Sequence, residues 1–142
     1  MKKFISLLFG ILLFGQVGFA ADYIPKTTCV DQGSSLASCT KTFVTSIGVK
    51  EAQIWYKHSS GTTSTYKFST SVTIPTTTSV LVDKGVRLSV DSGKTLTCRV
   101  ARADTGAFTG AGTVELYNDV IDAGWFLSSG QPDGTTDNSA EV

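Results

Sequence analysis

Apolar and polar positions alternate along most of the middle of the chain, in short runs broken by small polar residues. Ala52, Ile54 and Tyr56 fall on one side of a run whose other side is Gln53, Trp55 and Lys57. Tyr66, Phe68, Thr70, Val72 and Ile74 alternate in the same way with Lys67, Ser69, Ser71 and Thr73. A period of two is that of a strand with two unlike faces, and the Ser59-Ser60-Gly61-Thr62-Thr63 cluster between the runs predicts a hairpin. Phe43, Thr45 and Ile47, alternating with Val44 and Ser46, predict an earlier strand. Pro75 ends the second run because it lacks the N–H that a ladder needs. Val80-Leu81-Val82 is a short apolar run, and Val86 to Val90 and Leu96 to Val100 continue the alternation, separated by turns at Asp83-Lys84-Gly85 and Asp91-Ser92-Gly93. Asp104 to Gly112 reads as a mobile loop, Thr113 to Tyr117 as a strand, and Val120 to Leu127 as a last strand or short cover segment. Roughly seven short strands, with no amphipathic helix and no internal repeat, predict an all-β fold: a single antiparallel β-sandwich with helix content close to nil.

The start of the chain changes where this fold is expected to live. Met1-Lys2-Lys3 is basic, Phe4 to Phe14 is apolar apart from Gly10, and Gly18-Phe19-Ala20 has the small residues of a signal-peptidase site. The apolar run is roughly eleven residues, too short for the ~20 of a spanning helix. Residues 1–20 therefore read as a cleaved signal peptide, 21–129 as the sandwich domain and 130–142, with Asp133, Asp137 and Glu141 and no basic residue, as a disordered acidic tail. The mature chain is expected in the periplasm, at the cell surface or in the medium, with no membrane span.

Charge narrows the partners. The 142 residues hold 12 Lys and Arg against 12 Asp and Glu; without Lys2 and Lys3 the balance is 10 against 12, a formal −2. Such a chain lacks the basic surplus that nucleic acid would favour. Cys29, Cys39 and Cys98 in an oxidising compartment predict one disulfide and one leftover thiol. Cys29 with Cys39 would close a local loop, and Cys39 with Cys98 would tie distant strands. The unpaired thiol would be buried or would join two chains, so an oligomer through the odd cysteine is one expectation.

Cys39, then Trp55-Tyr56-Lys57, then Leu96-Thr97-Cys98-Arg99-Val100 resembles the Cys…Trp…Cys framework of an immunoglobulin-like domain. Asp91-Ser92-Gly93 ahead of Cys98 and Ala103 to Gly112 after it are similar to the turn and hairpin flanking the second cysteine of that family. The resemblance implies two antiparallel sheets joined by a Cys39 to Cys98 bridge with Trp55 packed on it, and binding through loops.

Chemistry-bearing residues are few. His58 is the one histidine, beside Ser59 and Ser60 but without a Gly-x-Ser-x-Gly elbow, and reads as a solvated strand-end residue. Asp91, Asp104, Asp119 and Asp122 lie in or beside predicted turns, where Asp bonds local backbone. Asn118, Asp119 and Asp122 offer clustered oxygens, but the Asp-x-Asp-x-Asp-Gly calcium loop is absent, and three cysteines with His58 lack zinc spacing, so no metal or other cofactor is expected. Gly110-Ala111-Gly112 leads into a strand, unlike a phosphate cradle. Trp55, Tyr56, Trp125 and Phe126 are the candidate binding aromatics, one ring of each adjacent pair pointing outward if the strands are regular. Together these features predict an exported, non-enzymatic β-sandwich that acts as a binding or surface-structural module for protein or glycan. The alternatives are an envelope or pilus-like assembly subunit and a small secreted hydrolase or hydrolase inhibitor.

Overall fold

The computed structural model describes residues 21–26, 29, 39–58 and 64–127. The expected signal peptide, 1–20, and the expected acidic tail, 130–142, fall outside the described residues. Among the described residues there are nine strands and one helix: β1 (Ala21–Tyr23), α1 (Thr40–Ile47), β2 (Ala52–Tyr56), β3 (Ser64–Phe68), β4 (Val72–Thr73), β5 (Thr78–Val82), β6 (Val86–Val90), β7 (Thr95–Arg102), β8 (Phe108–Gly110) and β9 (Thr113–Leu116). A 3-10 turn, Ala123–Phe126, follows.

Every strand pair is parallel. One six-stranded sheet runs β1-β2-β5-β7-β4, with β9 also on β7, and a three-stranded sheet runs β3-β6-β8. The registers show that the chain winds as a coil. Ala52 stacks on Thr78, Ser64 on Val86, Val72 on Leu96, and Val80 on Val100, so each turn lies on the turn before it. The coil has three faces: β1, β2, β5 and Arg99 to Arg102 of β7 form the first; β3, β6 and β8 the second; β4, Thr95 to Cys98 of β7 and β9 the third. One turn shrinks from 26 residues, Ala52 to Thr78, to 18, Thr95 to Thr113.

This topology corrects the antiparallel, immunoglobulin-like sandwich expected from the sequence. The fold is mixed, with one helix and two parallel sheets, and the two runs read as a hairpin, β2 and β3, lie on different faces without pairing. Alternation is blind to strand direction: a strand with one face in the core has a period of two whether its neighbour runs parallel or antiparallel. In a coil the inward positions simply stack. Ile54, Val80 and Val100 form one row, Tyr66, Leu88 and Phe108 another, and Val72 lies under Leu96. All eight are buried. Each fully buried aliphatic contributes about 1.5–3 kcal/mol of transfer free energy, and stacked rows leave little room for voids.

The supposed mobile loop from Asp104 to Gly112 is instead a rung containing β8. Gly110, at φ +97°, ends the Phe68–Val90 row, and a Cβ there would meet the Val90 carbonyl oxygen at 2.2 Å. The coil narrows here because only glycine allows so close an approach.

The run Phe43 to Ile47, expected as a strand, belongs to α1. Its Thr and Val residues are weak helix formers, so tertiary packing holds it. Phe43 and Ile47, four apart on one face, are buried with Ala52 against Tyr23. Gly48, at φ +61°, closes the helix by donating its N–H to Val44. A disulfide between Cys29 and Cys39 ties the preceding segment to the helix start, and Thr40 hydrogen-bonds the Tyr56 hydroxyl. The immunoglobulin-type Cys39 to Cys98 bridge is thereby excluded. Cys98 is free and fully buried in the coil core, where burial pushes its thiol up to about 12. In the folded protein it is not placed to join two chains.

Candidate functional site

Chemistry gathers at the corner between the first and second faces, where equivalent turns of three successive coils lie on one another. Lys57 and His58 follow β2, Asp83 and Lys84 follow β5, and Ala103 and Asp104 follow β7. His58, Val82, Asp83, Lys84, Arg102, Ala103 and Asp104 line a cavity of about 480 Å3. Asp83 is its hub. The indole N–H of Trp55 donates to Asp83 Oδ1 at 2.7 Å, and the Arg102 guanidinium approaches the same oxygen at 3.4 Å. Lys57 Nζ stands 3.8 Å from the centre of the Trp55 ring, and Arg102 Cζ lies 5.9 Å from it. A register shift places Arg102 there: Val80 pairs with Val100 but Leu81 with Arg102, leaving Ala101 as the extra residue of a bulge. Asp104 accepts from the Gly85 N–H at 3.4 Å. Burial, with the Asp83 charge adding to it, raises the Tyr66 phenol, whose hydroxyl donates to the Lys57 carbonyl at 2.7 Å beneath this corner.

Both carboxylates are thus engaged, Asp83 by a ring N–H and a guanidinium, Asp104 by backbone. Ser59 and Ser60 lie outside the described residues. Among the described residues no three His, Cys, Asp or Glu side chains converge as a metal site.

The sequence-derived candidates separate. Trp55 is half-buried on the outer side of β2, while Tyr56 is fully buried, its ring edge-on to Tyr66 at 4.9 Å. One ring in and one out matches regular strand geometry. Trp125 and Phe126 do not divide in this way, because they lie in a 3-10 turn. Both pack partly buried on the core, Phe126 stacked on Phe108 at 5.3 Å. Asn118 serves backbone instead of a cation: its amide accepts from Val100 N–H at 2.8 Å and donates to Val100 O at 2.6 Å. Asp122 caps Gly124 N–H at 2.9 Å.

A second feature, missed by sequence reasoning, lies at the two ends of the coil. Among the described residues the exposed large apolar ones are Ile24 (49%), Val49 (85%), Tyr117 (38%), Val120 (82%) and Ile121 (50%). Ile24 follows β1, the first strand of the first face, and Val49 sits in the turn from α1 to β2. Tyr117 begins a partial fourth turn, donating its N–H to Cys98 O, and Val120 and Ile121 follow Asn118 on it. None of the five lies on β2 through β9. The only cue in the sequence was the apolar character of Val120 to Leu127.

No protein-family model, curated protein or solved structure matches the chain.

The expected binding module does not survive the topology. It required a sandwich whose loops cluster at one end, whereas here turns are distributed along the corners of a coil. Among the described residues no helix is long and apolar enough to cross a membrane.

Proposed function

We propose that the protein is exported and works as a subunit of an envelope or surface assembly, built into it through the ends of its coil. The observation that carries this reading is the confinement of exposed large apolar side chains, among the described residues, to the two ends. Isolated exposed apolar residues are ordinary, but their segregation to the ends of a stack of parallel strands marks the surfaces where another rung or chain can add. The outer positions of the first face carry Gln53, Ser79 and Arg99 beside half-buried Trp55 and Leu81, and none of them is an exposed large apolar residue.

The reading is tested in the producing cell. Fractionation should recover the mature protein with the envelope or with material sheared from the surface. Val120→Asp/Ile121→Asp should instead release it as soluble protein. Recovery of the wild-type chain only as a free soluble protein would end this reading.

A small hydrolase is the second reading, favoured by the corner cavity and its His58, Asp83, Lys84, Arg102 and Asp104. It requires turnover of a glycan, ester or peptide substrate that is lost on His58→Ala and on Asp83→Asn while the fold persists. Absence of that paired loss would remove it.

A further inference from the structure

We infer that the assembly partner is a second copy of this chain, added head to tail, so that the Tyr117 to Ile121 end of one copy seats on the β1 and α1 end of the next. The inference rests on the assembly reading above and supplies its partner. Three observations converge on it.

The first is sheet continuity. β1 is the first strand of the first face; at the other end of that face the Asn118 side chain bonds Val100 of β7, just after Tyr117 has bonded Cys98 on the third face. One copy's β1 laid along another's Tyr117 to Ile121 would continue the face across the junction, at the spacing of about 4.8 Å that separates rungs within the coil. The second is apolar burial: Ile24 and Val49 at one end would be covered together with Tyr117, Val120 and Ile121 at the other.

The third is charge. The segments closing the β1 end expose Lys26, Lys41 and Lys50 against Asp22 and Glu51 among the described residues. The other end, from β9 through Leu127, exposes Glu115, Asp119 and Asp122 and contains no Lys, Arg or His. Like ends facing one another about a two-fold axis would oppose these three carboxylates to their copies. Unlike ends attract, which selects the heterologous contact that grows as an open fibre or closes as a ring. The residues after Leu127 are poor competitors for the apolar end, since 128–139 contain only Ser, Gly, Gln, Pro, Asp, Thr and Asn.

The test uses purified mature protein and paired charge reversals at exposed positions. Sedimentation over a concentration series should show wild-type mass rising with concentration, and less steeply as salt screens the ends. Glu115→Lys/Asp119→Lys leaves only Asp122 against two lysines and so makes both ends basic, and Lys26→Glu/Lys50→Glu makes both acidic. Each variant alone should associate roughly tenfold more weakly or worse. Mixed together they should regain association as an alternating copolymer, because each supplies the end the other lacks. Circular dichroism checks that both remain folded. A wild-type chain monomeric at all concentrations overturns the inference. So does loss on altering the Asp119 end with no effect of the Lys26 and Lys50 reversal, which is the signature of a two-fold contact. If the purified protein is monomeric yet is retained in the cell envelope, the self-partner fails while the assembly reading stands; if retention also fails, both fall.

Discussion

The two ends of the coil solve one problem in different ways. Any stack of parallel strands leaves unpaired N–H and C=O groups on its first and last rungs, an invitation to further pairing. At the β1 end a helix with a buried face covers the core beside β1 without pairing with that strand, anchored by the Cys29–Cys39 disulfide and the Thr40–Tyr56 hydrogen bond. At the other end a partial turn does the work with side chains: Asn118 imitates a strand residue against Val100, Asp122 caps Gly124, and Phe126 stacks on Phe108. Covalent anchoring makes the first end resistant. The second end depends on a few polar contacts near the surface and should open first.

Substitutions in the middle and at each end can break that contrast. Leu88→Ala, in the row between Tyr66 and Phe108, should destabilise the coil by about 2–5 kcal/mol and loosen both ends together, as read by denaturant unfolding with residue-resolved hydrogen exchange. Replacing Cys29 and Cys39 with Ser should cost about 2–3 kcal/mol, with exchange accelerating around α1 and β1 before β9 responds. Asn118→Ala leaves two backbone groups of Val100 without their partner and should cost about 1–3 kcal/mol, accelerating exchange at β9 and the fourth turn alone. Equal acceleration at both ends for either end variant would show that the coil opens as a single unit.

The smallest effect at ordinary pH comes from Cys98. Its folded thiol is held up to about 12, above the ~8.5 of an unfolded cysteine. The folded state therefore keeps a proton that the unfolded state releases. Stability from this group is intact below pH ~8.5 and falls by about 1.4 kcal/mol per unit as pH rises toward the folded value. Cys98→Ala should flatten that alkaline decline relative to wild type, a difference measurable by urea titrations at pH 8 and pH 10.

Much of the coil was legible as pieces and little of it as a whole. The inward positions of β2, β3, β6 and β7 were readable from alternation, because burial of one face imposes a period of two, whereas the continuously apolar Val80-Leu81-Val82 of β5 showed no face. Strand direction was not readable, since turns such as Asp83-Lys84-Gly85 at a coil corner have the composition of hairpin turns. Repetition was hidden too: turns shrinking from 26 to 18 residues give no fixed period to detect. The helix was concealed by residues that favour strands, although Phe43 and Ile47 carried its four-residue spacing. At the corner, Trp55 could be singled out as an outward aromatic. Its partners Asp83 and Arg102 could not, because they meet it only through the stacking of later turns and the bulge at Ala101. Of the end patches only the apolar Val120 to Leu127 run was visible: Ile24 and Val49 are isolated in sequence, and only the winding places them opposite Tyr117, Val120 and Ile121.

The position of Cys98 also bears on how the chain acquires the right bond. Three thiols under oxidising conditions allow two wrong pairings, and each wrong one must reach across at least 59 residues, from Cys39 to Cys98, whereas the native one spans ten. Short loops close with less entropy loss, so the native pair meets first. Once β7 docks onto β5, the third sulfur is sealed inside the stack in its protonated, unreactive form. Winding the coil thus proofreads the disulfide: the rung that completes the core also withdraws from exchange the one group able to scramble it.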